Sequence, residues 1–217
     1  MPRVVIPEVA HHVTQRGSRS LPTFFCESDY LTYRTWITES CHSAGVSVLA
    51  YCLMPNHVHL IMVPSEPDGL RRALAEAHRR YAKTINQREG WRGHLWQERF
   101  HSFPLDDHHL INAVRYIELN PVRAGLVTQP ENWRWSSAVT RVSGGDDPLL
   151  SRCSPLPLQA IASWGNFLAE GLAPDEAARL RQHEQSGRPL GNDRFITELE
   201  CRSGRKLRPM QAGRRSA

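Results

Sequence analysis

Val46-Ser47-Val48-Leu49-Ala50-Tyr51-Cys52-Leu53, then Met54-Pro55-Asn56, then His57-Val58-His59-Leu60-Ile61-Met62-Val63 is the stretch that decides the fold. Two apolar runs flank a Pro-Asn turn, the pattern of a hairpin of central strands. On its N-terminal side, Gly45 stops a helical pattern that opens at Ser28-Asp29 and repeats Tyr30, Tyr33, Ile37 and Cys41 at spacings of three and four. Before that helix, Val9 to Gln15 alternates like a strand, and Arg16-Gly17-Ser18 turns it. On the C-terminal side, Asp68 to Gln87 carries an apolar stripe of Leu70, Leu74, Ala77, Tyr81 and Ile85. Leu95 to Leu105 is the fourth strand expected. A further helix opens at Asp106-Asp107, carries Leu110, Ala113, Val114 and Ile117 on its core face, and meets Pro121. Strand, helix, two strands, helix, strand is the order of an α+β, ferredoxin-like (RRM-like) antiparallel sheet with packed helices. That fold hosts many functions, so the chemistry must come from individual residues.

The 217 residues are 40% hydrophobic and 23% charged, a globular balance. No apolar run approaches the roughly 20 residues a bilayer requires. The opening Met1-Pro2-Arg3-Val4-Val5-Ile6-Pro7-Glu8 lacks the apolar stretch of a secretory signal, so a cytoplasmic location without a membrane partner is expected. Five dispersed cysteines, Cys26, Cys41, Cys52, Cys153 and Cys201, point to neither a disulfide framework nor a zinc site. Gly144-Gly145-Asp146-Asp147-Pro148 is the linker expected between a catalytic domain, 1–143, and a small helical, basic C-terminal extension, 149–217. Helices are expected there near Pro157 to Glu170, Pro174 to Gln185 and Asn192 to Cys201.

The formal charge of +5 is unevenly spread. Residues 179–217 hold ten Lys/Arg against four Asp/Glu, and Arg71, Arg72, Arg79, Arg80 and Lys83 crowd the Asp68–Gln87 helix. Two basic regions suggest a polyanion partner, with Arg71, Arg72, Arg79, Arg80, Lys83, Arg205, Lys206 and Arg208 as candidate phosphate contacts. Trp91, Trp96 and Phe100 are candidate stacking surfaces for bases, although core packing is the expectation for Trp96 and Phe100.

His57 and His59 stand at i and i+2 of a strand, so their side chains share a face and can converge on a metal ion. Two imidazoles and an oxygen ligand suit several divalent cations, Mg²⁺ or Mn²⁺ among them. Of the five tyrosines, only Tyr116 precedes a metal-competent side chain, Asn120, by one helical turn. Taken singly, each residue also has a structural reading: half-exposed strand histidines, a core-edge tyrosine, an asparagine closing a turn before Pro121.

Four blocks together go further: Leu53-Met54-Pro55-Asn56-His57-Val58-His59-Leu60-Ile61, Leu95-Trp96-Gln97-Glu98-Arg99-Phe100, Arg115-Tyr116-Ile117-Glu118-Leu119-Asn120-Pro121-Val122-Arg123-Ala124-Gly125-Leu126-Val127 and Trp133-Arg134-Trp135-Ser136-Ser137. In order and spacing they resemble the REP-associated tyrosine transposases, relatives of the single-tyrosine HUH transposases. The resemblance runs from about His12 to Ser137. It implies Tyr116 as nucleophile, a divalent metal on His57, His59 and Asn120, a 5′-phosphotyrosine intermediate, and single-stranded DNA hairpins of repetitive extragenic palindromes as substrate. The broader insertion-sequence transposases commonly place Gln where Asn120 stands. The C-terminal extension resembles those of some members, through Gly187-Arg188-Pro189-Leu190-Gly191 and Gly204-Arg205-Lys206-Leu207. A non-catalytic nucleic-acid-binding module or repressor, and an HUH replication initiator or relaxase, are the alternatives. Monomer and homodimer both fit.

Overall fold

The computed structural model describes residues 3–151 and 156–209. The hairpin forms as β2 (Val46–Met54) and β3 (His57–Pro64), with Met54 opposite His57 across the two-residue turn. β1 (His11–Arg16) pairs antiparallel with β3, and β4 (His101–Pro104) pairs antiparallel with the other edge of β1. The sheet order is β2-β3-β1-β4. Helix α1 (Glu27–Ala44) links β1 to β2, and α2 (Gly69–Glu89) links β3 to β4. This is the expected ferredoxin-like arrangement.

Alternation along the strands gives each sheet face its own core. At the rear, Val13, Tyr51, Leu53, Val58, Leu60 and Met62 meet Tyr33, Ile37, Leu70, Leu74 and Tyr81 of α1 and α2. Leu60, Leu70 and Leu74 are fully buried there, each contributing about 1.5–3 kcal/mol. At the front, Ala50, Cys52, Ile61 and Phe103 meet Leu110, Ala113, Val114 and Ile117 of α3 (Asp107–Glu118). Asp106 caps α3 by accepting from the backbone N–H of His109 at 2.9 Å.

Two glycines are set by geometry. Gly45 ends α1 in the left-handed region at φ 64°. Gly17 lies where a Cβ would come within 2.4 Å of the Leu21 carbonyl oxygen and 2.6 Å of Thr23 Cγ2, so only glycine lets the chain leave β1 there.

The fourth strand is shorter than expected. Glu98 adopts φ 51°, incompatible with an extended chain, and β4 starts only at His101. Ahead of it, Trp96 makes one bridge to Gly17 while Leu95, Trp96 and Phe100 tuck into the rear core.

Beyond α3 the described residues add α4 (Asn120–Arg123), α5 (Ala138–Ser143), α6 (Leu156–Gln159), α7 (Trp164–Ala169), α8 (Pro174–Ser186) and α9 (Asp193–Ser203). The helix expected over Pro157 to Glu170 is thus two short ones, and Ser163 caps the second by accepting from Asn166 N. Asp147, in the segment expected as a linker, is buried and accepts from the Tyr51 hydroxyl at 2.6 Å and from Arg34 at 3.2 Å. Ala177, Leu180 and Leu190 share one apolar cluster with Phe103, Leu105 and Ile117, and Leu190 bridges to Leu105. Leu199 of α9 packs with Val4, Ile6 and Leu207. No described helix is long and apolar enough to cross a membrane.

Candidate active site

The register sets the front-face polar row: His101 opposite Thr14, Thr14 opposite His59, and Arg16 opposite His57. His57 Nδ1 donates to Asn56 Oδ1 at 2.6 Å, and Asn56 is itself fixed by donating Nδ2–H to the Ser20 carbonyl at 3.0 Å. His59 Nδ1 lies 3.0 Å from His12 Nε2. With both Nδ1 atoms engaged, Nε2 of each ring is the atom available to the cavity. The ring centroids of His57 and His59 are 4.9 Å apart. Burial lowers His57 to about 4, and burial, with the neighbouring His57 and His12, holds His59 well below the usual imidazole range. Both are neutral at physiological pH, as metal-ligating imidazoles must be.

Tyr116 and Asn120 reach this cavity from α3 and α4. Three consecutive side chains explain the placement. Ile117 enters the front core. Glu118, fully buried, accepts from Ser137 Oγ at 2.5 Å and Trp164 Nε1 at 2.7 Å, with Arg141 Nε at 3.5 Å. Burial raises the Glu118 carboxyl above the usual range, and the charge of Arg141 opposes the shift. With positions 117 and 118 anchored, Tyr116 and Asn120 are left on the cavity side, and the Tyr116 ring stands 6.1 Å, centroid to centroid, from that of His59. Pro121 removes one helical N–H, yet Leu119 stays helical at φ −85°, ψ −2°, so the one-turn spacing survives. Arg123 lies 4.0 Å over the Tyr116 ring, donates to the Tyr116 carbonyl at 2.8 Å and bonds Asn120 Oδ1. Asn120 Nδ2 is buried with no partner. That amide nitrogen is therefore unsatisfied, and a half-turn that gave up the Arg123 contact would present the oxygen in its place. Two neutral imidazoles and an amide at one cavity fit a divalent cation.

The cavity, about 460 Å³, is closed by a wall that the sequence reading did not foresee. Arg181, Glu184 and Gln185 of α8 line it together with Thr14, Arg16, His57, His59, Gln97, His101, Tyr116 and Asn120. The Thr14 hydroxyl donates to Glu184, whose carboxyl is raised chiefly by burial. Helical spacing puts 181, 184 and 185 on one side of α8, beside the buried Ala177 and Leu180, but it does not say which surface that side meets. A larger hollow of about 860 Å³ near α9 contains none of the motif residues, and chemistry, not size, selects the smaller one.

The basic residues of α2 are not brought to this cavity. That helix packs on the rear face, and its arginines are paired: Arg71 with Asp68, Arg72 with Glu66, Arg79 with Glu76 and Arg80 with Glu39. Lys83 is exposed on the same helix. In the tail, Arg205 donates to the Arg3 carbonyl at 3.0 Å, Arg208 pairs with Glu200, and Lys206 is exposed. Arg16, exposed, and Arg181, exposed, are the guanidinium groups among the cavity-lining residues. Trp96 and Phe100 are buried core residues, whereas Trp91 is 48% exposed and stands edge-on to Phe25 at 5.5 Å.

A ferredoxin-like sheet thus presents two strand histidines to a helical tyrosine across one cavity. The chain belongs to the IS200-like transposase family, which it matches over residues 9–120, just over half its length. It is 27% identical over 122 residues to a Haemophilus influenzae protein named as a REP-associated tyrosine transposase, a match covering 51% of this chain and 69% of that one. It is 26% identical over 101 residues to the REP-associated tyrosine transposase of Escherichia coli K12, covering 46% and 59%. The structure of a REP-associated tyrosine transposase bound to a REP hairpin has the same fold, with a TM-score of 0.57 at 20% identity, covering 71% of this chain and 98% of that one.

Proposed function

We propose that this transposase cuts and rejoins single-stranded DNA beside a folded-back hairpin, with Tyr116 as the nucleophile. The supporting observation is the convergence of His57, His59, Tyr116 and Asn120 on one cavity. The phenolic oxygen of Tyr116 attacks a phosphorus; the bond from phosphorus to the 3′-oxygen breaks, and that oxygen leaves as a protonated 3′-hydroxyl. The 5′-phosphate remains on Tyr116, and a second 3′-hydroxyl reverses the step to re-form a diester without ATP. His57, His59 and Asn120 would hold a divalent cation, Mg²⁺ or Mn²⁺, which when bound neutralises charge on the nonbridging oxygens. Arg16 and Arg181 face the entering phosphates. Glu184 is a carboxylate of the cavity, and its raised pKa suits it to take up the phenolic proton and return it. The C-terminal segment thus serves the reaction directly, in addition to any contribution to DNA affinity.

Hairpin DNA as substrate is supported by the relatives' names and by the hairpin-bound structural neighbour. That all four motif residues line a cavity within one chain supports a site completed by a single protomer. The test is labelled hairpin DNA incubated with Mn²⁺ and resolved on a denaturing gel. Wild type should give a protein-linked product, and Tyr116→Phe none, with hairpin affinity unchanged. A mixture of Tyr116→Phe and His57→Ala chains should also give none. Undiminished cutting by Tyr116→Phe removes the nucleophile assignment, and equal cutting of a perfect duplex replaces the reading with an ordinary nuclease.

A further inference from the structure

A second group of metal-competent side chains lies away from the catalytic cavity. His108 and His109, in the first turn of α3, and Glu176, in the first turn of α8, bring one donor atom each to within 4.8 Å of one another. None of the three lines the cavity of His57 and His59.

The surroundings of the group resemble those of a metal site in two respects. His109 Nδ1 donates to the Asp106 carboxylate at 2.6 Å, which orients the ring and leaves Nε2 free to ligate. A carboxylate behind an imidazole is the common outer support of a metal-bound histidine. Asp106 is itself fixed by the backbone N–H groups of His109 and Asn192, both at 2.9 Å. Asn112 then bridges the two helices, donating to Glu176 Oε2 at 3.1 Å and lying 3.5 Å from His108 Nε2. A carboxylate has about four acceptor directions, so Glu176 can keep that bond and its pairing with Arg179 at 3.4 Å and still ligate.

We propose that His108, His109 and Glu176 form a second divalent-metal site of the imidazole-rich, Zn²⁺-binding class, which fastens α8 to the helix that carries Tyr116. Two histidines, one carboxylate and an open position occupied by water complete a tetrahedral shell. Donors in such a shell sit about 3.3 Å apart, from bonds of about 2.0 Å, so binding draws α3 and α8 together at this end. His108 is exposed and Glu176 half-buried, which provides an entry path from the His108 side.

The consequence follows from the direction of the two helices. Their first turns meet at this group, and Tyr116 of α3 and Arg181, Glu184 and Gln185 of α8 meet again at the catalytic cavity. The helices therefore run side by side in the same direction. At 1.5 Å per residue, the two meeting points are about 10–12 Å apart along the axes. Ala177 and Leu180 pack between them in the cluster that holds Ala113 and Ile117. An ion at one end thus sets how firmly the cavity wall is held at the other.

The test uses the full chain without a polyhistidine tag, titrated with Zn²⁺ by calorimetry and followed by thermal unfolding. Wild type should show a saturable Zn²⁺ site that raises Tm. Glu176→Gln and His109→Asn should each weaken that site at least tenfold and remove the rise. His57→Asn/His59→Asn should keep it, which separates this site from the catalytic one. The proposal is overturned by no saturable binding, by binding that survives Glu176→Gln and His109→Asn, or by binding that leaves Tm unchanged, the mark of an adventitious surface ion only. Should the double variant fail to fold, wild type against Glu176→Gln still decides.

Discussion

His12 Nε2 and His59 Nδ1 meet at 3.0 Å between strands β1 and β3, with both imidazoles buried. For His59 to offer a bare Nε2 to a metal, its Nδ1 must carry the proton and donate to His12. His12 lies outside the H-x-H motif, yet it sets which nitrogen of His59 is available.

Replacing His12 by Ala should therefore weaken Mn²⁺ binding roughly 10–100-fold, the usual cost of losing the outer partner of a ligating histidine. Calorimetry of the folded variant reads this directly. Wild-type affinity would show that His59 needs no such support.

Glu184→Gln keeps the shape and the Thr14 contact but removes the proposed proton acceptor. Strand cleavage should fall about 10²-fold or more, while hairpin affinity holds or rises because a negative charge leaves the phosphate path. An unchanged single-turnover rate would reduce Glu184 to a packing residue.

Salt dependence distinguishes the two sets of basic residues. Arg181 lines the cavity of His57 and His59, whereas Arg79 is neutralised by Glu76 at 2.8 Å on the rear helix. Arg181→Ala should lower the slope of log K against log salt by roughly 0.7 for single-stranded DNA, and Arg79→Ala should leave it in place. The opposite ranking would put the DNA on the α2 face.

His78 is buried against Tyr33, its Nε2 3.0 Å from the Tyr33 oxygen, and burial lowers it to about 3. Its folded pKa lies below the unfolded value of about 6.5, so the unfolded chain binds the extra proton. Stability from this group is full above pH 6.5 and is lost as the pH falls toward 3, at about 1.4 kcal/mol per pH unit. His78→Gln, compared with wild type by urea unfolding in chelator at pH 6 and pH 4.5, should show a slope smaller by about that amount. Identical slopes would place the titration elsewhere.

The hairpin, α1, α2 and α3 were legible because each couples a clear periodicity to a terminator, such as Gly45 after Cys41 or Asp106 before Leu110. The one-turn relation of Tyr116 to Asn120 was legible for the same reason. The start of β4 was not, because Leu95 to Leu105 is apolar enough for a strand and only the left-handed Glu98 breaks it. Nor was the role of α8. Nothing in linear spacing says that Arg181 and Glu184 return to a sheet whose histidines lie more than a hundred residues earlier.

The late position of α8 also bears on synthesis. Chains emerge from the ribosome N-terminus first, and domains fold as they appear. The four strands and α3 can assemble once residue 118 is free, and His57, His59 and Tyr116 then face an open side until Arg181 and Glu184 emerge. Between the emergence of α3 and that of α8 a nascent chain thus carries the histidines and the tyrosine without the wall that faces them, and ribosomes that stall in this interval release protein in that unwalled state.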